Sequence, residues 1–282
     1  MHLYKTSKGN VLVDGNKAYA IYEDWDLLIN QKNLFYHLQI LAKEAIELSE
    51  TMLKEMLGEN ILAPIGSQEV WAAGVTYLRS RDARMEEAQK AGSSYFYQKV
   101  YDADRPELFF KALPHRVAGM NQQVYIRKDS TWNVPEPELT LFINSFGHIQ
   151  AYTVGNDMSS RSIEGENPLY LPQAKSYERS AALGPCLYIP EHPIDPETNI
   201  HLQITRSGKE VYDGNIQINK MKRTFPDLAS WLFKECEFAY GCFLMTGTGL
   251  VPPDEFTLQI GDTVNITIDG IGTLSNVVGE KQ

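Results

Sequence analysis

Residues 256–272 read Phe-Thr-Leu-Gln-Ile-Gly-Asp-Thr-Val-Asn-Ile-Thr-Ile-Asp-Gly-Ile-Gly, with apolar and polar residues alternating around Gly261-Asp262 and Asp269-Gly270. A period of two gives a strand one buried and one wet face, and the Gly/Asp pairs turn the chain back. The stretch therefore predicts antiparallel hairpins. Similar short runs recur upstream at 139–143, 150–154, 187–189, 201–205 and 243–245, cut apart by Gly, Pro and Asn-Asp. Two helical patterns interrupt them, 79–90 and 226–238, the second with Pro226 in its first turn. With 43% hydrophobic and 22% charged residues, the chain is an ordinary globular one. Disorder, a collagen-like repeat and a coiled coil are excluded.

The first 65 residues have a different texture. Two β-like runs, 11–13 and 17–22, flank the turn signal Asp14-Gly15-Asn16. Leu34, Leu38, Leu41, Ala45, Leu48, Leu53 and Leu57 then recur near helical spacing, which predicts one long helix, and Gly58 and Pro64 supply a stop and a linker. The 282 residues thus divide into a small N-terminal α/β cap domain, 1–65, and a larger β-rich domain, 66–282, an α+β chain overall.

Lys and Arg number 26 against 36 Asp and Glu, a net charge of −10, and no basic cluster interleaved with aromatics offsets it. Nucleic acid is therefore not an expected partner. Cys186, Cys236 and Cys242 are odd in number and lack a CxxC pair, so they are read as inert core thiols in a reducing compartment. The N-terminus has no apolar signal region, and no apolar stretch approaches the ~20 residues that span a bilayer. A soluble, cytoplasmic protein is expected, with no membrane partner.

The densest chemistry lies between Val134 and Lys175. In Val134-Pro-Glu136-Pro-Glu138-Leu, two carboxylates enter an apolar strand at i and i+2 and so project to one side. Such neighbours repel unless a proton or a cation stands between them. The next strand ends in Gly155-Asn156-Asp157, adding a third carboxylate at a turn. Three carboxylates without a Cys/His set describe a hard-cation site for Mg²⁺, Mn²⁺ or Ca²⁺. The alternative is that Glu136 and Glu138 are solvated residues at a strand mouth.

These residues, together with Tyr152-Thr-Val-Gly-Asn-Asp-Met-Ser-Ser-Arg161, Gln173-Ala-Lys175, Leu183-Gly-Pro185, Thr246-Gly-Thr-Gly249 and the 261–272 run, resemble the fumarylacetoacetate hydrolase superfamily from about Ala72 to Val278. The resemblance implies a mixed β-sandwich roll and a Mg²⁺ held by Glu136, Glu138 and Asp157. It also implies Lys175 in the active site, a 2-oxo acid substrate that chelates the metal, and a homodimer or homotetramer. Hydrolases of the family carry Tyr-x-x-His-x-x-Glu on a lid; here Tyr77 is followed by Ser80 in place of the His and Ala83 in place of the Glu. In Pro106-Glu107-Leu-Phe-Phe-Lys111, Glu107 stands where hydrolases carry an apolar residue, on one strand face with Phe109 and Lys111.

That combination is similar to a dehydratase branch, whose enzymes remove water from a five-carbon 2-keto-3-deoxy acid and yield 2,5-dioxopentanoate. On this reading Lys175 is the C3 base and Glu107 the proton donor, with an exchange of the two roles left open. Thr248 resembles the family's carboxylate-contacting Thr, and Lys111 is expected among the substrate-binding groups. Arg81 and Arg84, one helical turn apart, would close over an anionic substrate, or else pair with neighbouring acids. Arg161 is expected to orient the metal carboxylates. The competing activities are C–C hydrolysis of an acylpyruvate or diketo acid, decarboxylation of a 2-oxo acid, and metal-dependent sensing of a 2-oxo acid without turnover.

Overall fold

The computed structural model describes residues 1–88 and 94–282, apart from the side chains of residues 83, 84, 86–88 and 94–97. Most strands belong to one large mixed sheet. Its order is Ile46–Glu47, Lys17–Ile21, Gly9–Asp14, His2–Thr6, Ala181–Tyr188, Ile149–Asp157, Pro137–Ile143, Cys242–Met245, Glu69–Gly74 and Glu107–Ala112. A second sheet runs Lys209–Gln217, Asn199–Arg206, Thr263–Ile268, Gly272–Glu280 and Gln123–Ile126.

Alternation along the strands makes this a three-layer body. Leu139, Leu141 and Ile143 point from the large sheet onto Ile200, Leu202, Ile204, Val264 and Ile266 of the smaller one. Phe142, Ala151, Leu183, Leu187 and Phe243 point the other way, onto Trp25, Leu28, Leu34 and Leu38 of the N-terminal helices. The architecture is thus the β-rich α+β arrangement expected from the strand pattern. Among the described residues no helix is long and apolar enough to cross a membrane.

Segment 1–65 shares the large sheet with the rest of the chain. His2 pairs with Tyr188 and Leu3 with Leu187, and Leu3 is fully buried in the helix-side core. Truncation of such a side chain leaves a cavity, so Leu3→Ala is expected to remove roughly 2–5 kcal/mol of stability. A denaturant midpoint within error of the parent would show that the first strand contributes little.

Three elements differ from the sequence-based expectation. The long helix over 34–57 is two helices, Leu34–Glu44 and Glu50–Leu57. Ala45 turns extended (ψ 159°), Ile46–Glu47 pairs with Lys17–Ile21, and the Ser49 hydroxyl accepts from the Met52 amide to cap the second helix. Leu34 and Leu38 enter the main core, whereas Leu48 packs with Val11, Ala18 and Met56 in a separate small one. The expected 226–238 helix spans only Phe225–Leu232, and Glu235 in a left-handed conformation (φ 64°) lies beyond its end. The 256–260 run is not a strand: the Leu258 amide donates to the Asn133 carbonyl and the Gln259 amide to Asp262 Oδ2. Regular pairing begins only at Thr263.

Candidate functional site

Strands Pro137–Ile143 and Ile149–Asp157 are antiparallel, with Pro137 opposite Asn156 and Glu138 opposite Gly155. The Asp157 amide extends the ladder by donating to the Glu136 carbonyl at 2.9 Å, bringing the two acidic strand ends side by side. Glu138, Gly155 and Asp157 share a face. Gly155 is required there, because a Cβ would lie 2.2 Å from Thr140 Oγ1. One oxygen from each of Glu136, Glu138 and Asp157 falls within a 4.8 Å cluster, and all three residues are buried.

Three cations surround this trio. Lys175, at the end of helix Leu171–Lys175, donates to Glu136 Oε2 (2.6 Å), Asp157 Oδ2 (2.8 Å) and Ser159 Oγ (2.6 Å). Arg161 donates from Nε to Glu136 Oε1 at 3.2 Å, with Nη2 at 3.0 Å from the same oxygen. Lys111 Nζ lies 2.5 Å from Asp157 Oδ1 and donates to the carbonyls of Met158 (2.9 Å) and Lys175 (2.5 Å). The Lys111–Asp157 contact is a close charge pair rather than an aligned hydrogen bond. A fourth carboxylate, Glu164, stands 3.7 Å from Arg161 and 3.9 Å from Lys175, fully enclosed.

Burial, with the Asp157 and Glu136 carboxylates alongside, pushes the Glu138 carboxyl well above its ordinary value. Burial lowers Lys111 in turn, against the pull of Asp157. A raised folded-state value means that the stability linked to Glu138 is fully present below pH 4.5 and is lost as pH rises through the folded value. A cation favours the ionised form and offsets that loss. The rise in melting temperature caused by Mg²⁺ should therefore be larger near pH 8 than near pH 6, as proton release on metal binding requires. Equal increments at both values would contradict this electrostatic picture.

The donor set fits a hard dication: three buried carboxylates converge, and burial, reinforced by the other two, makes one of them protonation-prone. The cysteines lie elsewhere; Cys186 and Cys242 are buried, but Cys236 is exposed, correcting the expectation that all three are core residues.

Glu107 begins the strand Glu107–Ala112 opposite Gly74, and its carboxylate rests against that glycine, where a Cβ would lie 2.0 Å from Oε2. On the same strand face, Phe109 lies under Lys175, with Nζ 5.7 Å from its ring centre, and Lys111 reaches Asp157. Glu107 is thus one further step along a face that passes beneath the trio. It lines a cavity of about 530 Å³ with Lys99, Arg105, Pro168 and Leu171.

Thr248 is buried just after Gly247, whose amide donates to Glu138 Oε2 at 2.6 Å; the threonine hydroxyl accepts from the Leu250 amide. Gly247 adopts φ 96°, and a Cβ there would meet Thr76 Oγ1 at 2.0 Å. Arg81 does not reach the trio in this conformation: it forks onto Asp82 (2.9 and 2.6 Å) and stacks on Tyr101. The side chains of Arg84 and Ala83 lie outside what the structure describes. Ser80 is used locally, its hydroxyl donating to the Tyr77 carbonyl and accepting from the Tyr77 amide. Ser159, Glu164 and the Gly247 amide were not singled out from sequence. Only the spacing Asp157-x-Ser159 and Arg161-x-x-Glu164 hinted at the two side chains.

Comparison with known proteins agrees with this geometry. The sequence profile of the family described as fumarylacetoacetate (FAA) hydrolase C-terminal matches residues 70–279. The chain is 46% identical over 239 residues to the "Probable 2-keto-3-deoxyxylonate dehydratase" of Haloferax volcanii, covering 84% of this chain and 81% of the relative. It is 40% identical over 224 residues to the 2-dehydro-3-deoxy-D-arabinonate dehydratase of Saccharolobus solfataricus, covering 79% and 75%. A solved 2-keto-3-deoxy-D-arabinonate dehydratase complexed with magnesium and 2,5-dioxopentanoate superposes with a TM-score of 0.83 at 30% identity, covering 100% of this chain and 99% of that one. The chain belongs to the fumarylacetoacetate hydrolase family, and its similarity extends through the whole fold to that family's sugar-acid dehydratases.

Proposed function

We propose that this protein is a divalent-metal-dependent hydro-lyase that converts a 2-dehydro-3-deoxy-pentonate to 2,5-dioxopentanoate in sugar-acid breakdown. One observation supports this reading most: Lys175 lies directly against the carboxylate trio, while the lid position at which family hydrolases carry a histidine is Ser80, tied into its own helix start. Glu136, Glu138 and Asp157 would hold the cation, Mg²⁺ in the first instance and Mn²⁺ as a second hard ion. Bound there, it would draw electron density from a chelated 2-oxo acid and acidify the C3 protons.

Lys175 takes a C3 proton, and the freed electron pair forms the C3–C4 double bond. The C4–O bond breaks as Glu107 delivers its proton, so that the hydroxyl leaves as water. A proton then moves from C5 to C3, and ketonisation of the resulting C4–C5 enol places the aldehyde at C5. Arg161 keeps Glu136 turned toward Lys175, and Thr248 stands beside the Glu138 end of the site for the substrate carboxylate. Arg81 and Lys111 were expected to contact substrate. On this reading Arg81 does so only after leaving Asp82, and Lys111 acts from beneath Asp157.

The protein works, in this proposal, as a cytoplasmic homodimer or homotetramer. Exposed Tyr36 and Ile40, one turn apart on the helix Leu34–Glu44, offer apolar surface for such assembly. The test is to supply Mg²⁺ with either racemic 2-keto-3-deoxypentonate or an acylpyruvate and follow both by NMR. Formation of 2,5-dioxopentanoate from the first, with no pyruvate from the second, is expected. Pyruvate release alone would replace the proposal with C–C hydrolysis.

A further inference from the structure

Strands Glu69–Gly74 and Glu107–Ala112 pair antiparallel with Gly74 opposite Glu107, and the chain between them leaves at Val75 and returns through Pro106. Both stems of that segment therefore stand next to the Glu107 carboxylate. Three residues from far along the sequence hold the two stems together. Met221 bridges Tyr77, and the Lys222 amide donates to the Thr76 carbonyl at 2.9 Å. On the returning side, Lys222 Nζ donates to the Tyr101 carbonyl at 2.5 Å, and Arg223 donates to the carbonyls of Ala103 (2.5 Å) and Asp104 (2.9 Å). The outgoing stem needs such support: Val75 is β-branched yet adopts φ 54°, a conformation that persists only where its surroundings over-determine it. Val100 and Tyr101 pack against its side chain, and the Thr76 hydroxyl is tied to the Thr246 carbonyl.

Arg223 is the enclosed member of this clamp, with its side chain 12% exposed against 41% for Lys222. Its guanidinium forks over two successive carbonyls while Asp227 Oδ2 accepts at 2.9 Å, a planar set that one ammonium cannot reproduce. From Asp104 to Glu107 the chain then has little freedom. Arg105 stacks on Trp231, 4.6 Å from the ring centre, and Trp231 lies on the same helix as Asp227, Phe225–Leu232. Pro106 is buried, and its ring fixes the backbone directly before Glu107. We propose that Arg223 is a positioning residue for Glu107: it sets where the strand Glu107–Ala112 begins and so holds the Glu107 carboxylate against Gly74, where it serves as proton donor. The inference rests on the reading of Glu107 as the donor in a dehydration. Lys175 is carried by a different helix, Leu171–Lys175, and the Arg223 partners Ala103, Asp104 and Asp227 all lie outside it. Loss of the fork should therefore separate the two proton transfers, sparing C3 and impairing departure of the C4 hydroxyl.

The test compares two rates in full-length Arg223→Met supplied with Mg²⁺. One is deuterium exchange at C3 of 2-oxobutyrate, which has no hydroxyl to lose, and the other is 2,5-dioxopentanoate formation from 2-keto-3-deoxypentonate. Dehydration should fall by ~10–10²-fold, the order expected when a reacting group is displaced by about an ångström, while exchange stays within about twofold of the parent. A purely structural role would lower both rates by one factor, as would any partial loss of folded protein, so the ratio of the two carries the result. An unmoved ratio would overturn the proposal. Should Arg223→Met not fold, Arg223→Lys decides: it keeps the charge beside Asp227 but loses the fork, and dehydration should again fall more than exchange. Equal losses there, or none, would refute positioning through the two carbonyls. A parent that exchanges 2-oxobutyrate yet forms no 2,5-dioxopentanoate refutes the dehydration reading and this inference with it. A parent that dehydrates, with an Arg223→Met that dehydrates equally well, refutes this inference alone.

Discussion

Lys175→Met should leave the protein folded and metal-competent yet lower kcat for 2-keto-3-deoxypentonate by ~10²–10⁴-fold, the usual contribution of a positioned proton-transfer group. The side chain is fully enclosed and makes three polar contacts at 2.6–2.8 Å, so methionine keeps its length while removing the ammonium. Its loss leaves Glu136 and Asp157 facing each other without that cation, which should strengthen their demand for a metal ion. The expected pattern is therefore a large drop in kcat with Mg²⁺ affinity equal to or tighter than the parent's. Solvent deuterium exchange at C3 of a non-eliminating analogue such as 2-oxobutyrate should slow in parallel. A variant that keeps its exchange rate would move the base elsewhere, with Glu107 the first candidate.

Glu136→Gln should have the other large effect, and on stability as well as activity. Glu136 is the carboxylate on which both Arg161 and Lys175 converge, all three buried. An amide of the same shape removes the charge and leaves two enclosed cations short of a counter-ion, a change that typically costs about 3–5 kcal/mol. The same substitution removes one of three metal oxygens, so Mg²⁺ should no longer raise the melting temperature and turnover should vanish. Arg161→Met in the same chain should recover part of the stability but none of the activity, because it removes one stranded charge without restoring a ligand. Wild-type stability in the single variant would mean that the trio is far more solvated than its burial indicates.

The carboxylate trio could be read from the chain because its logic is local. A period of two puts Glu136 and Glu138 on one side, and a turn delivers Asp157 at the adjacent strand end. The sandwich was equally legible, since alternating residues at 139–143 and 263–268 announce one face toward a core. Less visible was whatever depends on partners supplied by backbone or by distant segments. The break at Ala45 reflects the pairing of Ile46–Glu47 with a strand nearly thirty residues earlier, which helical spacing of leucines does not reveal. Lys111 looked like a substrate ligand on its strand face, yet two of its contacts are carbonyl oxygens, and carbonyls carry no sequence signature. Arg81 had two readings, anion closure and pairing with a neighbouring acid, and this conformation holds the second. Leu3 joins Leu187 across most of the chain, so the sheet linking segment 1–65 to the rest is a tertiary fact rather than a local one.

The measurement that bears most directly on the central claim is a titration of metal-stripped protein with Mg²⁺, recording binding by calorimetry and 2,5-dioxopentanoate formation in the same samples. The account predicts no product before addition, about one ion bound per chain, and product formation that rises in proportion to that site's occupancy. Undiminished turnover in the stripped protein, or full occupancy with no dehydration of either enantiomer of the 2-keto-3-deoxypentonate, would contradict it.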